Sequence, residues 1–163
     1  MLNAIDLKDM KFFEGLDTNE LETIAGLCSS VEFKAWDKIF NRGDRAEYFY
    51  IIKEGKVDLC FLVTIMLKEM EITVDTLQAG AVLGWSALSE SPKLTLSAYC
   101  KIDCKFIQMR GEEVLSLCNK EHHLGYVIMK NLAQVVSRRL AQMHYLCEKE
   151  IEMNVPSFEG KRY

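Results

Sequence analysis

Between residues 31 and 109 the chain changes texture: short runs rich in Val, Ile, Phe, Tyr and Thr are broken by Gly43-Asp44, Glu54-Gly55, Gly80 and Gly84. Runs of that length with turn residues at that spacing point to a small antiparallel β structure, because short strands satisfy their backbone groups only by tight reversal onto a neighbour. Seven or eight strands fit. Val57, Leu59, Phe61, Val63 and Ile65 alternate with more mixed neighbours, the period of a strand with one face inward. Residues 68–71, Lys-Glu-Met-Glu, are the expected reversal before Ile72, Val74 and Leu77. The unusually apolar end of this run, residues 61–67, reads either as a buried strand or as a contact surface near a hairpin tip.

Helical patterns flank this block. Asp17 followed by Glu20, ahead of Leu21, Ile24, Ala25 and Cys28, is a capping box before an apolar face, so a helix is expected over 17–29. After Arg110 the three-and-four spacing returns at Gly111-Glu112-Glu113 and continues to about Met153, with breaks expected near Asn119 and Gly125. Residues 1–153 therefore read as one domain (helix 17–29, β-roll 31–110, helices 111–153), with 154–163 a tail. The fold class is mainly β with flanking helices, α+β. Met129, Ala133, Val136, Leu140, Met143 and Cys147 recur at alternating steps of four and three on one seam. That seam packs either on the β core of its own chain or on the same helix of a second copy, and Arg138, Arg139, Glu148 and Lys149 flank it as charges flank a two-fold helix pair.

At 163 residues, 49% hydrophobic and 27% charged, the chain can bury a core without staples. A net charge of -4 argues against a general nucleic-acid binder. Cysteines 28, 60, 100, 104, 118 and 147 contain no CxxC pair and sit mostly among apolar neighbours, the usage of a reducing, cytoplasmic compartment. Cys100 and Cys104 are expected on one face of one strand-like segment, too far apart to pair easily. The N-terminal stretch carries early acidic residues and no long apolar run, so no signal peptide is expected, and the apolar run at residues 59–67 is half a membrane span. Histidines 122, 123 and 144 all lie in the helical part, away from any strand-borne metal site, and no metal is expected. Ser86 lacks the glycine two residues on that a nucleophile elbow uses, and Cys118 with His122 is a packing spacing. No catalytic constellation is visible, and no second domain, helix-turn-helix included, is expected after Met153.

The segments Phe12-Phe13-Glu14-Gly15-Leu16, Phe40-Asn41-Arg42-Gly43-Asp44 and the strand pair from Tyr48 to Val57 across Gly55 resemble those of the cyclic-nucleotide-binding domain family. The resemblance runs over residues 8–150, and Arg138-Arg139-Leu140 looks like the corresponding helix of catabolite-activator-type regulators. It implies an eight-stranded double-stranded β-helix, or jelly-roll, with a long C-terminal helix.

The same resemblance places a phosphate-binding cassette on "GWSALSESPKLT", residues 84–95. In that family a glutamate follows the glycine and accepts from the ribose, and an arginine after the proline forks onto the phosphate. Trp85 stands at the glutamate position; Leu94 or Lys93, according to the alignment, stands at the arginine position. What remains is the amide turn of Gly84, Trp85, Ser86 and Ala87, with Thr95 alongside. Two roles are open to Trp85: a plug that turns the pocket into core, or a stacking platform for another planar ligand. Met143 and His144 resemble the positions that contact the base. The resemblance thus implies a non-enzymatic sensor with weak or altered cyclic-nucleotide binding, a cyclic nucleotide or another small anionic or planar ligand in the roll, a homodimer, and a protein partner, with neither direct nucleic-acid nor membrane contact. The alternatives are a ligand-free dimeric scaffold and a genuine cyclic-nucleotide regulator acting through a separate DNA-binding or signalling partner.

Overall fold

The computed structural model describes residues 2–65 and 67–154. The strands are β1 (Ser29–Phe33), β2 (Lys38–Phe40), β3 (Tyr48–Glu54), β4 (Lys56–Ile65), β5 (Lys68–Gln78), β6 (Val82–Leu83), β7 (Ser97–Cys100) and β8 (Cys104–Arg110). They form two four-stranded sheets, β1-β8-β3-β6 and β2-β7-β4-β5, with every pairing antiparallel. This is the eight-stranded roll with flanking helices that the sequence implies.

The two faces of the first sheet do different work. Along β3 and β8, Ile52, Cys104 and Phe106 point between the sheets, where they meet Val57, Leu59, Leu77, Leu83 and Ala98. Phe49, Ile51, Ile107 and Met109 point the other way, into a second core with Phe12, Phe13, Ile24, Val114, Leu124 and Ile128. A sheet that buries both faces needs a cover on the outside, and the helices supply it. They are α1 (Ala4–Lys8), α2 (Thr18–Ala25), α3 (Gly111–Lys120) and the 33-residue α4 (His122–Asn154).

Local chemistry explains most boundaries. The capping box at the start of α2 is formed in full: the Glu20 amide donates to Asp17 Oδ1 and the Asp17 amide to Glu20 Oε2, both at 2.9 Å. The helix ends at Ala25, earlier than the expected 29, because Ser29 already pairs with Gln108 in β1. α1 was not anticipated; at five residues it is too short to show a periodicity, and an Asn3–Asp6 capping box closes it. The α3–α4 break falls at Glu121, two residues past the expected one at Asn119. Gly125 does not break α4. Instead it lets α4 cross α3 closely, since a Cβ there would sit 2.6 Å from the Cys118 carbonyl oxygen.

Two further expectations change. Residues 68–71 are strand rather than reversal: Lys68 pairs with Ile65 and Glu71 with Leu62, so the β4–β5 hairpin is longer and Leu67, at φ 64°, stands in its turn. Cys100 and Cys104 are not on one strand segment. They end β7 and begin β8, in different sheets, and both face the interior, where burial and the neighbouring Cys104 thiol push Cys100 up to about 12. The expected tail coincides with α4 at Asn154, and residues 155–163 lie outside the described residues.

α4 is tied down near its start. The Asn131 amide, buried at 7% exposure, donates to the Phe12 and Glu14 carbonyls, each at 2.9 Å. Replacing Asn131 with Ala leaves the buried Phe12 carbonyl and the part-buried Glu14 carbonyl without this donor and should lower the unfolding free energy by about 1–3 kcal/mol, measured by urea denaturation. Asn131→Asp, which adds a buried charge and still offers no donor, should cost at least as much.

Candidate functional site

Gly84 sets the site. Its left-handed backbone, φ 70° and ψ 16°, opens a short 3₁₀ turn over Trp85–Leu88, and a Cβ there would meet the Tyr48 carbonyl oxygen at 2.8 Å. Only glycine combines that conformation with that approach. The turn roofs a chamber of about 200 Å³ between the sheets. Phe40, Leu59, Phe61, Val74, Val82 and Leu83 form its strand walls. Trp85, Ser86, Leu94, Thr95 and Leu96 line one end, and Arg139, Gln142 and Met143 reach in from α4.

Six of the nine sequence candidates line this chamber: Gly84, Trp85, Ser86, Leu94, Thr95 and Met143. Three do not. Ala87 is turned under the N-terminus of α3, so close that a Cβ at Gly111 would lie 2.2 Å from the Ala87 carbonyl oxygen, and its amide already donates to Gly84 within the turn. His144 is exposed on α4.

Lys93 is the third. The Gly43 amide donates to the Leu94 carbonyl and the Leu94 amide to the Asp44 carbonyl, which pins the register of this segment. Alternation then sends Leu94, 7% exposed, into the chamber and Lys93 out to a separate surface cleft beside Gly43 and Arg45. The residue facing the chamber after Pro92 is therefore aliphatic. Trp85 is half-buried and packs against the helix-side core while also lining the chamber.

The charged residues of the lining are Asp75 on β5 and Arg139 on α4. They form an ion pair across the chamber's edge, with side chains 19% and 20% exposed. Burial lowers the Arg139 pKa from its ordinary value, an effect that Asp75 opposes. The sequence contained one signal for this pair: Asp75 shares the inward parity of Leu77, and a carboxylate at an inward strand position needs a partner. Among the described residues no group of three or more His, Cys, Asp and Glu is placed to hold a metal, and no helix is long and apolar enough to cross a membrane.

The seam on α4 divides. Met129 is half-buried against its own core and Met143 lines the chamber, whereas Ala133, Leu140 and Cys147 are exposed and Val136 is intermediate. A strict heptad drifts by about 20° per repeat on a straight helix, which carries the stripe partly onto the chain's own roll.

The family described as Cyclic nucleotide-binding domain matches residues 30–121, more than half of the chain. Among curated proteins, the Cyclic AMP receptor protein of Thermus thermophilus is 25% identical over 156 residues, 96% of this chain and 66% of that protein's length. Among solved structures, a cyclic nucleotide-binding protein of Geobacter metallireducens aligns with a TM-score of 0.73 at 24% identity, over 86% of this chain and 99% of that one. A regulatory subunit of a cAMP-independent protein kinase A from Trypanosoma cruzi, bound to guanosine, aligns with a TM-score of 0.62 at 22% identity, over 76% of this chain and 41% of that one.

The ion pair gives a stability test. Asp75→Asn strands a half-buried guanidinium and should lower the unfolding free energy by about 1–3 kcal/mol in urea, whereas Asp75→Leu with Arg139→Leu should recover most of that loss.

Proposed function

Because the chain belongs to the cyclic nucleotide-binding domain family, we propose that it is a non-enzymatic regulatory module whose roll chamber holds a small ligand, binds cyclic mononucleotides weakly, and couples occupancy to α4. The observation that carries this reading is the chamber's polarity on the cassette side: Trp85 and Leu94 face it where the family resemblance implies a glutamate and an arginine. Hydrogen bonds to charged groups contribute roughly 1.5–3 kcal/mol each, so two missing grips weaken binding by on the order of two to four decades. The trypanosome regulatory subunit, similar in fold, is bound to guanosine, a nucleoside without a cyclic phosphate, which favours looking beyond cyclic nucleotides here.

Coupling follows from the walls. Arg139, Gln142 and Met143 belong both to the chamber and to α4, so a ligand that binds one helix placement better than another shifts the population between them. The exposed distal half of α4 is the proposed readout. Leu140, Leu146, Ile151 and Met153 are 55%, 37%, 61% and 71% exposed there, an apolar surface suited to the same helix of a second copy or to a protein partner. A ligand-free scaffold is the second reading, supported by the Arg139–Asp75 pair, which already holds α4 to the roll.

Calorimetric titration separates these readings. Cyclic AMP and cyclic GMP should bind with Kd above about 10 µM, and Trp85→Glu with Leu94→Arg should tighten that by two decades or more. Sub-micromolar binding of either nucleotide by the wild type overturns the proposal. For assembly, light scattering should report a dimer that Leu140→Glu converts to monomer; a wild-type monomer at high concentration, unaltered by that substitution, removes the helix-pair reading.

A further inference from the structure

The chamber shares a wall with a second space. Asp75, Val82, Arg139 and Gln142 line the chamber and also line an outer groove of about 520 Å³ between α4, the β5–β6 connection and the 3₁₀ turn Lys11–Phe13. The Arg139–Asp75 pair is therefore a partition, with apolar strand walls on one side and a groove carrying Lys11 and Arg138 on the other. The charged residues of the groove are Lys11, Arg138, Arg139 and Asp75, three cations against one carboxylate, in a chain whose net charge is -4. Among the described residues neither Lys11 nor Arg138 takes part in an ion pair.

The cassette end of the chamber offers an anion little. Leu94 is apolar, Lys93 lies outside and the Ala87 amide is engaged within its own turn. A negatively charged group placed there would meet only neutral donors, the turn amides and the Ser86 and Thr95 hydroxyls, and no cation. Arg139 borders the chamber from α4 and can present a planar donor pair to a carboxylate, with Arg138 and Lys11 lining the groove on the other side of the pair.

We propose that the site takes a small amphipathic monocarboxylic acid, its aliphatic or aromatic body beneath Trp85 and its carboxylate at the partition, shared by Arg139, Arg138 and Lys11. This rests on the reading that the roll houses a ligand, and it puts the ligand's charged end on α4 rather than on the turn after Gly84. The acid then bridges roll and helix directly, adding to the hold that Asp75 has on Arg139.

The test is calorimetry on the full chain at low ionic strength with two matched pairs, octanoate against 1-octanol and 2-naphthoate against 2-naphthylmethanol. In at least one pair the acid should bind about tenfold or more tightly than its alcohol. Raising salt to about 1 M should erode that preference. Lys11→Gln with Arg138→Gln, both at exposed positions, should narrow the ratio to within about threefold, with the thermal midpoint as the check on folding. Equal affinities for acid and alcohol in the wild type overturn the placement of the charged end while leaving a ligand chamber intact. An acid preference unchanged by the double substitution also overturns it. Failure of all four compounds to bind overturns this inference, while the cyclic-nucleotide titration decides the ligand-chamber reading separately.

Discussion

The first sheet is apolar on both faces, and the rest of the molecule is arranged around that fact. Ile52, Cys104 and Phe106 demand a second sheet opposite them; Phe49, Ile51, Ile107 and Met109 demand helices behind them. Removing either cover would expose several large side chains, each worth roughly 1.5–3 kcal/mol when buried. The helices on the outer face are consequently parts of the core, and α4 extends beyond it. Asn131 anchors the base of the helix by gripping the Phe12 and Glu14 carbonyls. With about 1.5 Å of rise per residue, a 33-residue helix spans about 50 Å, far more than the roll can cover. One helix therefore serves as core at its base, chamber wall in its middle and free surface at its end.

The chamber inverts the charge layout implied by family resemblance. Trp85 and Leu94 make the turn side apolar, and the ionic groups sit on the helix side as Arg139 and Asp75. In a half-buried setting that pair is costly to separate, because each partner would be left desolvated. The pair thus gives α4 a defined seat before anything enters the roll. On the proposed reading, a ligand that reinforces the seat and one that displaces it would move the helix in opposite directions.

Much of this was legible residue by residue. The Asp17–Glu20 capping box, the turn at Gly55 and the alternation of Val57, Leu59 and Phe61 rest on local geometry, and local geometry is what spacing records. Errors arose where a non-local contact decided. Gly125 looked like a helix breaker but serves a close crossing over Cys118, and residues 68–71 looked like a turn but pair with 62–65. Cys100 and Cys104 looked like one strand because the change of sheet between them leaves no mark in the composition. In the candidate site, Gly84, Trp85, Ser86, Thr95 and Met143 were found from the motif, and the choice between Lys93 and Leu94 was not.

Sequence by itself determined the succession of helix, strand block and helices and the apolar character of the cassette, since each depends on residue type and short-range period. Tertiary structure decided which neighbour of Pro92 faces inward, through the Gly43–Leu94 and Leu94–Asp44 hydrogen bonds, because strand parity is set by a partner far away in the chain. It likewise brought Asp75 and Arg139 together. They are 64 positions apart, and only the folding of α4 back over the roll makes them one ion pair.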